Sequence, residues 1–301
     1  MRLPIFRPQP KERHLLIIEL GHDTSRAAYF HDDEGELIFG GTGNGANPEA
    51  AYAAIPNKPS KITDVVLGLP FSGITDASTV VRYRRSSPQT KVSEDEIKNA
   101  LSRIPPLTGE PFFEDLFNAK VDGLPTLEPI ERMGELVELN YYQATADQEV
   151  LSAAREHVKN LGVEPGIVPT AYAIAKLISQ TTPNGALTLN ISPHHTEVSL
   201  TADGHLVGIK SFDLGGDQKE YFLPALEAAL EELSYTDLWP ETIYLCGTIA
   251  NYEEFRSLLL TYPWTKKVNM MAFPEISVFH PLSVNLTLPA EVGLNALSLL
   301  G

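Results

Sequence analysis

Two stretches of the chain repeat one pattern of apolar and polar positions. Residues 15–40 read LLIIELGHDTSRAAYFHDDEGELIFG, and residues 186–208 read ALTLNISPHHTEVSLTADGHLVG. Each begins with an apolar run, passes through a short polar turn into a second run, and reaches a third after a turn containing glycine. Apolar runs bounded by turn residues are typical of strands. This internal repeat, whose two copies begin about 170 residues apart, predicts two related β-β-β units and therefore two related domains.

Helix and strand signals follow both units. In the second half, Phe222, Leu226 and Leu230 keep the spacing of one helix face. We predict helices over 218–234, 252–261 and from near 288, and strands over 242–246 and 267–272. The resulting order, β-β-β-α-β-α-β-α, is that of a ribonuclease-H-like domain. The first half regains this order with a helix over 147–160, a strand over 165–169 and a helix over 171–180.

An inserted module separates the two parts of the first domain. Ser93 and Glu96 form a capping-box pattern ahead of a helix, and strands are predicted over 61–69, 78–85, 113–121 and 133–145, with a further one over 124–130. The glycine-rich stretch 40–48 is predicted to be a loop. The predicted division is a disordered leader at 1–14, a first domain at 15–67 and 147–184, the insertion at 68–146, and a second domain at 185–301.

Composition narrows the range of functions. The 301 residues include 23 Lys and Arg against 39 Asp and Glu, a net charge of −16, which disfavours nucleic acid as a partner. The single cysteine, Cys246, lies in an apolar run and offers no disulfide, which fits a reducing compartment. No apolar run reaches the roughly 20 residues of a membrane-spanning helix. The leader has apolar and basic residues but no signal-peptide core, and weak attachment to a surface is the alternative to disorder.

The order of these units resembles the superfamily of actin, sugar kinases and the large heat-shock chaperones. Within it, a module inserted at 68–146 resembles the FtsA/PilM branch of bacterial actin-like proteins. Residues 16–24 resemble the first phosphate loop, residues 92–97 the start of the insertion's helix, and residues 121–138 its later strands. The resemblance implies an α/β fold class: two ribonuclease-H-like (actin-like ATPase) domains, with a small α+β insertion in the first.

The resemblance also implies a nucleotide cleft between the domains, in a degenerate form. Glu19 stands where the family has an aspartate that holds Mg²⁺ through water, and Asn190 stands at the start of the second phosphate loop. Pro193 removes an amide donor from that loop. The residues that the resemblance places in the cleft are Glu19, Gly21, His22, Asp23, Thr24, Asn190, Ser192, His194, His195, Thr196, Gly215, Gly216, Gly247 and Thr248.

A second departure concerns enclosure of a nucleotide. Residues 217–241 leave room for one helix where active relatives have an additional subdomain, 2B, that forms one wall of the adenine pocket. We therefore expect no resident cofactor and no turnover, with ATP and Mg²⁺ as the alternative. His22, His194 and His195 would make a metal site only if they converged, and their spacing does not establish one. The sequence shows no nucleophile elbow and no paired acid and base.

A degenerate cleft leaves surface recognition as the expected function. The resemblance implies a non-catalytic scaffold of an inner-membrane-associated assembly, with protein partners and scope for self-association. The insertion's motifs favour FtsA-like cell division, in which the partner is a filament-forming protein. The alternatives are a PilM-like component of the type IV pilus assembly platform, which binds a peptide of a membrane partner, and an ATPase or kinase. We expect a cytoplasmic protein that reaches the membrane through its partner, and expect the apolar helix around Leu294 and Leu297 to pack in the core.

Overall fold

A computed structural model describes residues 13–21, 24–33, 36–249, 251–280 and 289–300. The leader up to Glu12, and His22 and Asp23 of the predicted cleft, lie outside the described residues. The strands are β1 (His14–Glu19), β2 (Ser25–Asp33), β3 (Glu36–Gly45), β4 (Asp64–Leu69), β5 (Ile74–Arg84), β6 (Glu110–Val121), β7 (Leu124–Thr126), β8 (Leu136–Ala146), β9 (Gly166–Pro169), β10 (Gly185–Ile191), β11 (Thr196–Ala202), β12 (His205–Phe212), β13 (Thr242–Gly247) and β14 (Glu275–Val278). The helices are α1 (Pro48–Ala54), α2 (Glu94–Leu101), α3 (Gln148–Glu156), α4 (Thr170–Thr181), α5 (Lys219–Glu232), α6 (Tyr252–Leu260), α7 (Trp264–Lys267) and α8 (Val292–Ser298).

Two five-stranded sheets share one topology. The first has the strand order β3-β2-β1-β4-β9 and the second has the order β12-β11-β10-β13-β14. In each, a meander of three antiparallel strands is continued by two parallel ones, so the first and second lobes repeat each other. The predicted duplication and the predicted fold class are confirmed. Both sheets are formed because long apolar runs, such as β1 and β10, are covered on both faces and are almost wholly buried.

The inserted segment forms a third sheet with the order β5-β8-β6-β7, covered by α2. The capping box is present: the Glu96 amide donates to Ser93 Oγ at 3.2 Å, and the Ser93 amide donates to Glu96 at 2.9 Å. Ile97 and Leu101 of α2 pack with Leu139 of β8 in a separate apolar cluster. The insertion therefore has a small core of its own.

Helices α4 and α8 lie between the lobes. Eight residues of α4 are buried, because this helix contacts β10, β11 and β12 of the second lobe as well as α8. One apolar cluster accordingly joins Leu15 and Phe30 of the first lobe, Ile174 of α4, Leu206 of the second lobe and Leu297 of α8. The last helix packs in the core as expected.

The insertion also contacts the second lobe directly, at the turn between β11 and β12. The Leu206 amide donates to Asn140 Oδ1 at 2.8 Å, and Ser78 Oγ donates to the Leu206 carbonyl at 2.5 Å. Asn118 Nδ2 donates to the Gly204 carbonyl at 2.8 Å. The insertion is thus bonded to the lobe from which it is most distant in sequence.

Two sequence-based predictions about local structure are wrong. Residues 40–48 are not a loop: β3 continues to Gly45, and α1 begins at Pro48 behind an Asn47 cap. The glycines here admit a close neighbour, since a Cβ on Gly43 would lie 2.8 Å from the Ile55 amide nitrogen. Residues 267–272 are not a strand either, because α7 occupies their start and the edge strand is Glu275–Val278, which pairs in parallel with β13.

Among the described helices, none combines the length and apolar character that crossing a membrane requires.

Candidate functional site

The two lobes enclose a cavity of about 280 Å³ where β1, β10 and β13 reach their carboxyl ends. Ligands of open α/β sheets bind in the crevice at this end of the strands. The cavity is lined by Glu19, Leu20, Gly21, Thr24, Arg26, Pro70, Thr170, Asn190, Ser192, Pro193, His195, Glu197, Gly247 and Thr248.

Eight residues predicted from the sequence lie together on this wall: Glu19, Gly21, Thr24, Asn190, Ser192, His195, Gly247 and Thr248. His194, Thr196, Gly215 and Gly216 are not among the lining residues. Arg26, Thr170 and Glu197 also line the cavity and were not predicted from the sequence. That any of these residues binds a ligand stays a prediction.

An ion pair lies at the first-lobe side of the cavity. Glu19 and Arg26 face each other across β1 and β2, and Arg26 Nη2 donates to Glu19 Oε1 at 2.7 Å. Both side chains are about nine-tenths buried, so solvent weakens their attraction only slightly. The guanidinium supplies the positive charge that this carboxylate would otherwise take from a cation.

The same pair of positions recurs in the second lobe with different chemistry. Asn190 and Glu197 face each other across β10 and β11, and Asn190 Nδ2 donates to Glu197 Oε2 at 2.7 Å. The other oxygen, Glu197 Oε1, accepts at 2.7 Å from the amide of Phe71, which follows β4 of the first lobe at the start of the insertion. This carboxyl is therefore a hydrogen-bonded link between the lobes.

Burial dominates the acidity of Glu197. The loss of solvation raises its pKa from 4.5 to about 7, while hydrogen bonds from Asn190 and Phe71 act in the opposite direction and the Glu19 charge adds a smaller increase. Near neutral pH the group is therefore partly protonated. The wall consequently carries a paired carboxylate and a second carboxyl that is only partly charged.

At the turn that follows β10, which lines the cavity, backbone amides form hydrogen bonds within the chain. The Ser192 amide donates to the His195 carbonyl at 2.8 Å, and the Gly216 amide donates to the Ser192 carbonyl at 2.9 Å. On the neighbouring turn the Thr248 amide donates to the Ile191 carbonyl at 2.8 Å. A phosphate cradle needs amides that point at the ligand, and Pro193 has none to offer. The amides of this turn therefore bond within the chain, and Pro193 removes one donor, as its residue type predicts.

Within the described residues, His194 and His195 do not meet at a metal centre, and His22 lies outside them. His195 is buried with Nδ1 at 3.1 Å from Asp213, whereas His194 is exposed with Nδ1 at 3.7 Å from Asp217. In the part of the chain that the structure describes, no three His, Cys, Asp or Glu side chains are placed to hold a metal ion. Cys246 is fully buried beside Asn190, and burial raises the pKa of its thiol well above the usual range. A thiolate nucleophile is therefore disfavoured there.

Thr170 contributes to the cavity from the start of α4. Its side chain is 2% exposed, and its position follows β9 directly, so the junction between strand and helix faces the cavity. The absence of a side chain at Gly68 makes room for Thr170, since a Cβ at Gly68 would lie 2.6 Å from Thr170 Oγ1. A single threonine within the apolar run VPTAYAIA gives little sign of this role in the sequence.

No protein-family model matches the chain, and no curated protein matches it in sequence. Solved structures do match it in fold. The structure of the PilM-PilN type IV pilus biogenesis complex superposes with a TM-score of 0.56 at 16% identity, covering 95% of this chain and 97% of that one. A protein of Bacteroides thetaiotaomicron, with an actin-like ATPase fold and unknown function, gives 0.50 at 11% identity, with 95% of both chains covered. The ethanolamine utilization protein EutJ of Carboxydothermus hydrogenoformans gives 0.44 at 11% identity, covering 97% of this chain and 91% of that one.

These similarities define the fold. The chain has an actin-like ATPase fold, and the duplicated lobes are the ribonuclease-H-like domains of that class. At these identities the similarity shows the architecture alone.

Proposed function

We propose that this protein is a PilM-like scaffold, which acts through protein contacts in a membrane-associated assembly of the type IV pilus kind. The observation that carries the proposal is the superposition on the PilM-PilN complex structure over 95% of this chain and 97% of that one. A fold shared over this length supports the use of comparable surfaces for partner binding. Membrane association would then come through the partner.

The chemistry of the cavity supports a role without turnover. A divalent cation bound by Glu19 would lie beside the Arg26 guanidinium, which is 2.7 Å from Oε1, and the two positive charges would repel each other. The Ser192, Gly216 and Thr248 amides are already bonded within the chain. Both features disfavour a Mg²⁺-triphosphate complex.

The division role that the insertion's motifs favour is the second candidate. It rests on the sequence of residues 121–138 and has no counterpart among the structures reported above, so we place it after the pilus role. An ATPase or kinase is the third.

The enzymatic alternative has a direct test. We expect no change of melting temperature with ATP and Mg²⁺, and no phosphate release above that of a protein-free control. A clear rise in melting temperature, with phosphate release that Glu19→Gln abolishes, would overturn the non-catalytic proposal. Glu164→Gln is the matched control, because Glu164 is an exposed carboxylate that is not among the cavity-lining residues.

The choice of assembly needs partner identification followed by a binding measurement. The tagged chain would be cross-linked in its native cells, and the captured membrane proteins identified. For a pilus-type partner, a synthetic peptide of its cytoplasmic segment should bind the purified chain saturably. Capture of a division filament protein, with no binding of any pilus-protein peptide, would favour the second candidate instead.

A further inference from the structure

Three large apolar side chains of the second lobe are exposed on neighbouring segments. Leu238, Met271 and Phe273 are 50%, 79% and 48% exposed, and we call them the apolar patch. Leu238 precedes β13, and the other two precede β14, which pairs in parallel with β13. Because β13 ends at the cavity, the patch lies at the opposite end of this sheet. Exposed apolar side chains that lie together mark interaction surfaces.

The two segments that carry the patch are held side by side. The Trp239 amide donates to the Asn269 carbonyl at 2.8 Å, and the Glu275 amide donates to the Glu241 carbonyl at 2.8 Å. Beneath them, Trp239 and Met270 are buried in the apolar cluster of the second lobe. The patch residues therefore stand on a packed layer, and the core is filled without them.

The surroundings of the patch are acidic. The same two segments carry three exposed carboxylates: Asp237, Glu241 and Glu275. Of the two lysines of α7, Lys267 is paired with Glu227 and Lys266 is exposed. Residues 185–301 as a whole contain 5 Lys and Arg against 14 Asp and Glu. The surface thus combines apolar side chains with negative charge.

This combination restricts the partner. An anionic lipid surface would be repelled by the carboxylates. A second copy that presented the same face would bring Asp237, Glu241 and Glu275 against their own counterparts. A segment with both apolar and basic side chains meets neither difficulty, because it matches the patch and the charges around it.

Segments of this composition occur beside membrane spans, where the cytoplasmic side carries an excess of Lys and Arg. We propose that the apolar patch binds a Lys- and Arg-rich cytoplasmic segment of a membrane protein, through Leu, Ile or Phe side chains of that segment. The inference rests on the proposed membrane-associated function, to which it adds a surface and the chemistry of the partner segment.

The first test uses the full chain and a fluorescent synthetic peptide, KRLFKRILKR, in anisotropy titrations. Binding should saturate, and it should weaken as the salt concentration rises from about 0.05 to 0.5 M. Two further peptides separate the contributions: KRSSKRSSKR lacks the apolar side chains, and EELFEEILEE reverses the charge. Each should bind at least about tenfold more weakly than the first.

Variants of the chain locate the site. Replacement of both Met271 and Phe273 by Ser should weaken binding of KRLFKRILKR about tenfold. Leu124→Ser is the matched control, because Leu124 is 72% exposed but belongs to the insertion. If the double variant does not fold, Asp237→Asn combined with Glu241→Gln should weaken binding about threefold, which keeps the test independent of the apolar substitutions.

Other outcomes would overturn the inference. Equal binding of KRSSKRSSKR would leave only unspecific attraction between opposite charges, and equal binding of EELFEEILEE would remove the role of charge. No saturable binding, or equal binding by the double variant and the unsubstituted chain, would exclude the patch. A dimer in sedimentation experiments that the double variant abolishes would make the occupant a second copy.

The inference and the proposed function can fail separately. A peptide of a captured pilus-type partner that binds the chain and the double variant equally would end the inference and leave the function standing. Failure to capture any pilus-type partner, with KRLFKRILKR still bound at the patch, would do the reverse.

Discussion

Gly293 in the first turn of α8 lies directly against the carboxylate of Glu19. A Cβ on Gly293 would be 2.5 Å from Cδ and from both oxygens of that side chain. Real Cβ atoms do not approach a neighbour so closely. The absence of a side chain at this position is therefore what allows the Glu19–Arg26 pair to form beneath the helix.

Gly293→Ala should consequently destabilise the fold. The added methyl must push either the Glu19 carboxylate or α8 away, and overpacking of this kind costs about 1–3 kcal/mol. Chemical denaturation of the variant would measure the loss. Gly166→Ala is the matched control, because among the described residues its added Cβ would have one neighbour within 4 Å, the Val65 carbonyl oxygen at 3.8 Å. Equal stability of the two variants would contradict the close approach.

The buried carboxyl of Glu197 makes stability depend on pH. Its pKa is raised from 4.5 to about 7 in the folded protein, so the folded state holds the proton more tightly than the unfolded one. This contribution is complete below pH 4.5 and is lost as the pH rises towards 7 and above, with a total of about 3 kcal/mol. Asp76, with a pKa raised to about 6 mainly by burial, acts in the same direction.

Glu197→Gln should remove the larger part of that slope. The amide cannot ionise, so its free energy of unfolding should change less between pH 5 and pH 8 than that of the unsubstituted chain. Urea denaturation across this range measures both curves. Parallel curves would show that Glu197 does not titrate in this window.

Asn140 should be important for the docking of the insertion on the second lobe. It is fully buried, accepts the Leu206 amide at 2.8 Å, and donates to Ser78 at 2.9 Å. Asn140→Ala leaves those groups without a partner and should cost about 2–3 kcal/mol. Proteolysis at the β11–β12 turn should become faster. Asn99→Ala, on the exposed face of α2, should change stability by less than about 0.5 kcal/mol.

Arg85 and Arg84 offer a comparison between adjacent arginines. Arg85 is buried in the insertion, and its guanidinium donates to the carbonyls of Thr90 at 2.8 Å, Gly134 at 3.0 Å and Lys91 at 2.8 Å. Arg84 is an exposed partner of Glu135. Arg85→Ala should destabilise the chain by about 3 kcal/mol, and Arg84→Ala by less than about 1 kcal/mol. Similar losses in circular-dichroism melts would contradict the assigned role of Arg85.

The sequence allowed the repeated architecture to be predicted because its signals are local. Apolar strands separated by short turns occur in both halves, and the Ser93–Glu96 cap is visible within four residues. The missed helix α1 also had a local signal, since Asn47 precedes Pro48 and both residue types favour a helix start. The glycines before it predicted a loop instead. In the structure they allow α1 to pack closely against β3.

The cavity residues that were missed depend on register across strands. Arg26 and Glu197 lie within runs that indicate buried strands, and a polar residue there becomes a site only when its partner is known. Each partner stands seven residues earlier, Glu19 in one hairpin and Asn190 in the other. That shared spacing was a usable signal. Thr170 had none of this kind, because its neighbours come from separate parts of the chain.

The bonds between the insertion and the β11–β12 turn have a mechanical consequence. Rotation of one lobe away from the other would have to break the contacts of Leu206 with Asn140 and Ser78, and also the bond from Phe71 to Glu197. Any such rotation would therefore have to begin with the rupture of hydrogen bonds at two separate places. The two lobes and the insertion should accordingly keep one relative placement in solution.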